Sequence, residues 1–219
     1  MRSHPPYDFA AARRLMVAEQ IERRGIQDRR VLDALLKVHR DAFVPSNLKK
    51  QAYADRALSL ECGQTISQPY IVALMTQSLE LTGEESVLEI GTGSGYQCAV
   101  LCELARHVTS VERHAELSER AGEVLNQLGY HNHTLVVGDG TYGWAEFAPY
   151  DRIIVTAAAQ RLPQVLMDQL REGGLLVIPL GASESQTLQA IRKVDGQPVA
   201  KELSPCRFVP LVGSEEPRW

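Results

Sequence analysis

Val87-Leu88-Glu89-Ile90-Gly91-Thr92-Gly93-Ser94-Gly95-Tyr96 is an apolar run with an acid near its end that turns through three glycines into a helical pattern. Glycine allows the sharp turn and leaves no Cβ between backbone and ligand. The spacing is G-x-G-x-G rather than the dehydrogenase G-x-G-x-x-G, which favours a ligand with no pyrophosphate to seat. Further on, the strand His107-Val108-Thr109-Ser110-Val111 ends at Glu112. An acid at about this distance from a glycine loop can accept both hydroxyls of a ribose.

Outward from this loop, strands and helices alternate. Residues 69–79 read as a helix, 86–90 as the first buried strand and 96–104 as a helix. Residues 108–111, 116–128 and 134–137 repeat the alternation, and the last of them ends at Gly138-Asp139-Gly140. A fourth strand at 152–156 leads to a helix at 163–170, and Gly173-Gly174 turns into Leu175-Leu176-Val177-Ile178. Continuous apolar strands separated by helices imply a parallel sheet covered on both faces. The ending changes character: residues 187–194 and 198–203 flank Asp195-Gly196, a tight-turn pair that predicts an antiparallel hairpin on the sheet edge. Residues 207–211 follow as a late extended segment.

The N-terminal region is helical. Ala12, Leu15, Met16 and Ile21 fit one face of a helix over 9–24, with Gly25 placed to stop it. Asp28 is positioned to cap a second helix that turns Val31, Leu35 and Val38 inward and ends before Pro45. No internal repeat or linker divides the 219 residues, a length that suits one α/β domain with additions.

Composition narrows the partners. With 44% hydrophobic and 23% charged residues the chain can build a core, and a formal charge of -4 argues against a broad nucleic-acid surface. Met1 to Pro6 is polar, no apolar run of membrane-spanning length follows, and the chain reads as cytoplasmic. The four cysteines form no metal motif: Cys98 and Cys102, one helical turn apart, read as small buried thiols, and Cys62 and Cys206 stand alone. His131 and His133 fall in a polar turn, and His39, His107 and His114 lack ligand spacing. No metal is expected.

The acid–glycine–acid arrangement resembles the S-adenosylmethionine site of class I methyltransferases. A narrower resemblance, to the protein-L-isoaspartate O-methyltransferase family, rests on Gly63-Gln64-Thr65-Ile66-Ser67-Gln68-Pro69-Tyr70, which is similar to that family's acceptor signature. The glycine loop through Gln97, Ser110-Val111-Glu112-Arg113, Gly138-Asp139-Gly140 with Gly143-Trp144, the run from Ala148 to Ala158, and Arg207-Phe208-Val209-Pro210-Leu211 match it in order. Arg24-Gly25-Ile26 and Phe43-Val44-Pro45 extend the match to the N-terminal helices. Ser59, Glu61 and His39 depart from the family pattern, the first two close enough to the acceptor signature to alter peptide selectivity or loop rigidity.

The resemblance implies a Rossmann-like α/β sheet, mostly parallel with a C-terminal antiparallel hairpin, preceded by N-terminal helices. It implies one methyltransferase domain, with the helical and acceptor-signature region at 1–80 and the cofactor-binding core at 81–219. It implies methyl transfer from S-adenosyl-L-methionine to the free α-carboxylate of L-isoaspartyl residues in damaged proteins and peptides, giving an ester that collapses to succinimide. The enzyme is expected to be a monomer with no nucleic-acid or membrane partner.

The implied cofactor residues are Glu89, Gly91, Gly93, Glu112, Asp139 and Gly140; Thr65, Ile66 and Ser67 face the acceptor, with Ser67 as the catalytic group. For Glu89 two roles stay open, a hydrogen bond to loop amides or one to the cofactor's amino group, and three of the others have a plainer reading. Ser67 could cap the helix that Pro69 enters, Glu112 could be a solvated charge beside Arg113, and Asp139 a turn residue between glycines. An α-carboxyl has a pKa of about 3.5 and is ionised at neutral pH, so no general base is needed. Two other functions remain open at this point: a methyltransferase with a different acceptor, and a binding module that keeps the cofactor pocket without methylating.

Overall fold

The computed structural model describes residues 7–182 and 185–213, so the polar Met1–Pro6 segment lies outside the described residues. Helix α1 (Phe9–Leu15) starts at Asp8, whose carboxylate accepts the Ala11 amide at 2.8 Å. It runs on as a π-helical turn (Met16–Ile21) and a 3-10 turn (Glu22–Arg24), then stops at Gly25 with φ 95. Bonding from i to i+5 brings residues five apart onto one face. Met16 and Ile21 are therefore both buried, together with Val17. Leu15, expected on that face, is instead 62% exposed, because the widened turn shifts the register that a regular helix would keep.

Helix α2 (Arg29–Lys37) is capped as expected: Asp28 Oδ1 accepts the Arg30 and Val31 amides at 2.9 and 3.4 Å. Val31, Leu35 and Val38 are buried. A short antiparallel pair, β1 (Leu58–Ser59) and β2 (Thr65–Ile66), precedes α3 (Pro69–Gln77).

The main sheet is built from β3 (Ser86–Ile90), β4 (His107–Glu112), β5 (His133–Val137), β6 (Tyr150–Val155), β7 (Leu170–Ala182), β8 (Ser185–Val194) and β9 (Gln197–Cys206). Helices α4 (Tyr96–Cys102), α5 (Ala115–Gln127) and α6 (Gln164–Gln169) lie between strands. The strand order is β5-β4-β3-β6-β7-β8-β9, parallel from β5 to β7 and antiparallel for β8 and β9. Asp195 and Gly196 join the last two strands with φ of 51 and 74, the doubly positive pair that a type I′ hairpin turn requires. Leu170, read from sequence as the end of a helix, is the first residue of β7, and His133 begins β5 rather than lying in the preceding turn.

Side chains alternate across the sheet. Val87, Val108, Ile154 and Val177 join the core shared with the N-terminal helices, α3 and α4. Leu88, Ile90, Ile153, Val155, Leu176 and Ile178 pack with Leu166 and Met167 of α6 on the other face. Both faces are covered, which is why these strands read as unbroken apolar runs. Cys98 and Cys102 are buried, and all four cysteines are free thiols. The chain leaves β3 toward β4 and β5 on one side, then crosses to β6 on the other. That reversal places a crevice at the carboxyl end of β3, where open α/β sheets bind ligands.

Candidate active site

A cavity of about 560 Å³ opens at that crevice. Its walls include Ile90 to Ser94 from the end of β3, Val111 to Arg113 at the end of β4, Gly140, residues 63–68 around β2, and residues 205–212 from the end of β9 onward. The acceptor-signature residues Thr65, Ile66 and Ser67 are thus brought beside Gly91, Gly93, Glu112 and Gly140, far apart in the chain but on one surface.

The glycine loop is held from below. The Gly91 amide donates to Val111 O at 2.8 Å, and Thr156 Oγ1 donates toward Ile90 O and Gly91 O at 3.0 and 2.8 Å. Gly93 has φ 53, and the space its Cβ would enter holds no protein atom within 4 Å. A side chain there would be strained and would project into space left open. Glu112 is buried, and its two oxygens accept the Gly93 and His114 amides at 2.9 and 3.0 Å. A carboxylate has about four acceptor positions, so roughly two stay available to a ligand.

Glu89 sits elsewhere than a contact residue would. It is fully buried and absent from the cavity wall. Ser110 Oγ donates to its Oε2 at 2.5 Å, and Thr92 Oγ1 lies 2.6 Å from Ser110 Oγ. The other carboxyl oxygen accepts no N–H or O–H donor among the described residues, and burial pushes the group up to about 8, so it is protonated at neutral pH. Glu89 therefore supports the loop from behind, through Ser110 and Thr92. Asp139 is likewise not among the residues of the cavity wall: its Oδ1 accepts the Thr141 amide and hydroxyl at 2.9 and 2.6 Å, the turn geometry expected of an Asp between glycines. Gly140 does line the cavity, but the close contact that excludes a side chain there is with Ile90, whose Cγ2 an added Cβ would overlap.

The capping reading of Ser67 does not hold. The residue at the cap of α3 is Gln68, with no side-chain cap bond, and Pro69 is the first helical residue. Pro69 removes one of the amides that a cap would satisfy. Ser67 is half-buried on the cavity wall, and its hydroxyl bonds no group among the described residues.

Arg40, unremarked in the sequence reading, fixes the backbone of Ser67. This side chain is fully buried, donates to Ser67 O and Ala52 O at 2.7 Å each, and lies over the Tyr96 ring at 4.7 Å. Desolvation lowers it to about 10, so it remains charged at neutral pH. It ties the acceptor segment to the first residue of the helix that follows the glycine loop. An arginine between α2 and a proline gives no local hint of such a role. Thr156 is a second residue left outside the expected site that lines the cavity and braces the loop. The late segment closes one side: the Ala158 amide donates to Val209 O at 2.8 Å, and the Leu211 amide to Ala158 O at 2.7 Å.

The described residues contain no group of three His, Cys, Asp or Glu that could hold a metal, and no helix long and apolar enough to cross a membrane.

Comparison with known proteins agrees with this geometry. Residues 11–216 match the family model described as protein-L-isoaspartate(D-aspartate) O-methyltransferase. A protein-L-isoaspartate O-methyltransferase of Dictyoglomus turgidum is 52% identical over 209 residues, covering 95% of this chain and 94% of its own. Another, from Geotalea uraniireducens, is 55% identical over 203 residues, with 92% and 94% covered. Among solved structures, a protein-L-isoaspartate O-methyltransferase superposes with a TM-score of 0.83 at 32% identity, over 92% of this chain and 66% of that one. A Plasmodium falciparum structure in complex with S-adenosyl-L-homocysteine gives a TM-score of 0.78 at 24% identity over 91% and 98%, a likeness of fold.

Proposed function

The chain belongs to the protein-L-isoaspartate(D-aspartate) O-methyltransferase family, and on that premise we propose how its cavity carries out the family's reaction. The enzyme transfers a methyl group from S-adenosyl-L-methionine to the free α-carboxylate of L-isoaspartyl residues in damaged proteins. The bound cofactor supplies an electrophilic methyl on a sulfonium centre. The cavity fits that ligand on two counts: the open space over Gly93, and the unspent acceptor positions of Glu112. Glu112 is the residue to hold the ribose hydroxyls, Gly91 and Gly93 let the backbone approach, and Thr156 and Glu89 keep the loop in place.

The acceptor carboxylate is ionised at neutral pH and needs no base. Carboxylate and sulfonium charges cancel as the methyl moves, so charge is smaller in the transition state than in the reactants. A guanidinium or ammonium on the reacting oxygen would stabilise the reactants more than the transition state. A neutral hydroxyl orients the oxygen with less of that penalty, and Ser67 is the group we assign to it. Thr65 and Ile66 line the cavity beside it. Alignment and exclusion of water then supply most of the acceleration. Glu89, placed at the cofactor by sequence alone, takes a positioning role, and Asp139 shapes the turn that presents Gly140.

The observation that carries this reading is a half-buried serine hydroxyl that lines the cavity beside the glycine loop and serves no helix cap. The core shared by the N-terminal helices and the sheet supports a single methyltransferase domain, which we propose acts as a cytoplasmic monomer on isoaspartyl proteins, without nucleic acid or membrane. Transfer of labelled methyl to an isoaspartyl peptide and to its aspartyl twin is the test. Label on the isoaspartyl peptide alone is expected. Cofactor binding with no transfer would leave a binding module, and label reaching only unrelated acceptors would leave a methyltransferase of another specificity.

A further inference from the structure

The acceptor side of the cavity carries a charge pattern that methyl transfer itself does not require. Five charged side chains line the cavity: Asp55, Arg56, Glu112, Arg113 and Arg207. The two carboxylates are already engaged. Asp55 pairs with Arg24 at 3.2 Å and accepts the Gln68 side-chain amide at 2.8 Å. Glu112 accepts two backbone amides. The three arginines are exposed, and none forms an ion pair among the described residues.

Arg113 is placed beside Glu112, on the cofactor side, and its guanidinium reaches Val212 O at 3.3 Å. Arg56 adjoins Asp55, which holds the Gln68 side chain next to Ser67, and Arg207 opens the late segment that forms another wall of the cavity. Arg56 lies two residues before β1 and bonds the neutral Gln51 side chain. Arg207 directly follows β9 and makes no side-chain bond among the described residues. Two guanidinium groups from separate parts of the chain thus stand at one cavity with no carboxylate paired to them among the described residues, in a protein whose overall charge is -4.

We propose that Arg56 and Arg207 form a docking surface for acidic peptide segments, so that the enzyme favours isoaspartyl residues flanked by Asp or Glu. This rests on the reaction proposed above and names the acceptor class within it. The guanidinium fork matches a carboxylate in two parallel bonds, which suits recognition of side chains flanking the damaged residue. It is poorly suited to the reacting carboxylate, whose negative charge must fall as the methyl transfers. Steering by such exposed groups is modest and screened by salt.

The test uses three isoaspartyl peptides of one length, with Glu, Gln or Lys on both sides of the isoaspartyl residue. At low salt kcat/KM should fall from Glu to Gln to Lys by about two- to fivefold at each step. At about 1 M salt the three should converge. The double variant Arg56→Gln, Arg207→Gln should bring the Glu-to-Lys ratio close to one at low salt. A flat or inverted order in the wild type overturns the proposal, as does a double variant that keeps the wild-type ratio. Equal loss on all three peptides would place the arginines on the reacting group and also overturn it. Transfer to none of the three, with cofactor still bound, removes the reaction and this proposal with it, whereas transfer insensitive to flanking charge removes only the proposal.

Discussion

Replacing Ser67 with alanine separates chemistry from folding in one substitution. The cap of α3 is Gln68, and the Ser67 hydroxyl bonds no described group, so its removal leaves no protein donor or acceptor unpaired. A lost cap would cost about 1 kcal/mol, whereas a substitution outside such features stays within about 0.5 kcal/mol. The backbone bond from Arg40 to Ser67 O is untouched by the change, so the segment should keep its course. If the hydroxyl orients the acceptor carboxylate, its loss removes one neutral bond at the transition state. Such a bond is worth one to two orders of magnitude in rate, about 1.4–2.8 kcal/mol of barrier. Thermal melting, calorimetric cofactor affinity and steady-state methylation should be measured on one preparation. The expected result is a melting temperature and cofactor affinity near wild type with kcat lowered about 10- to 100-fold. Raising the pH should not restore turnover, because the nucleophile is already ionised and no base has been lost. Full turnover in Ser67→Ala, or recovery at high pH, would refute the mechanism.

Three further outcomes follow from the cofactor side. Glu112→Ala should weaken S-adenosylmethionine binding at least tenfold in a folded protein, since charge-assisted bonds contribute about 1.5–3 kcal/mol each and the Gly93 amide loses its partner as well; wild-type affinity by calorimetry would remove Glu112 from the site. Gly93→Val should abolish cofactor binding while circular dichroism remains that of a folded protein, because a branched side chain at φ 53 is strained and fills the open space; normal binding by that variant would mean the loop does not face the ligand. Glu89 holds its proton in the folded state up to about pH 8, against 4.5 ordinarily, so the folded protein binds more protons than the unfolded chain between those values. Stability should therefore fall as pH rises from about 4.5 to about 8 and then level off. Glu89→Gln should flatten that decline in denaturant titrations at pH 5, 7 and 8.5, and an unchanged slope would show that Glu89 is ionised in the folded protein.

The features legible in the sequence were those with local causes. Continuous apolar runs mark strands because both faces of the sheet are covered, and Asp195-Gly196 marks a hairpin because its turn needs two positive φ angles. Asp28 declares its helix because a cap acts on amides two and three residues away. Glycines followed by an acid at the next strand end reveal a ligand crevice by the same token, since strand order fixes where both must lie. What tertiary structure alone decided depends on contacts between distant segments. Arg40 reaches Ser67 across 27 residues of chain, and Thr156 reaches Gly91 across 65. Neither leaves a pattern in its own neighbourhood. Leu15 faces outward because of a π turn that periodicity could not anticipate. Glu89 and Asp139 are the acids that the spacing picks out, yet Ser110 holds Glu89 behind the loop and an oxygen of Asp139 accepts the Thr141 amide. Sequence spacing locates a backbone position, and only packing determines which way its side chain can turn.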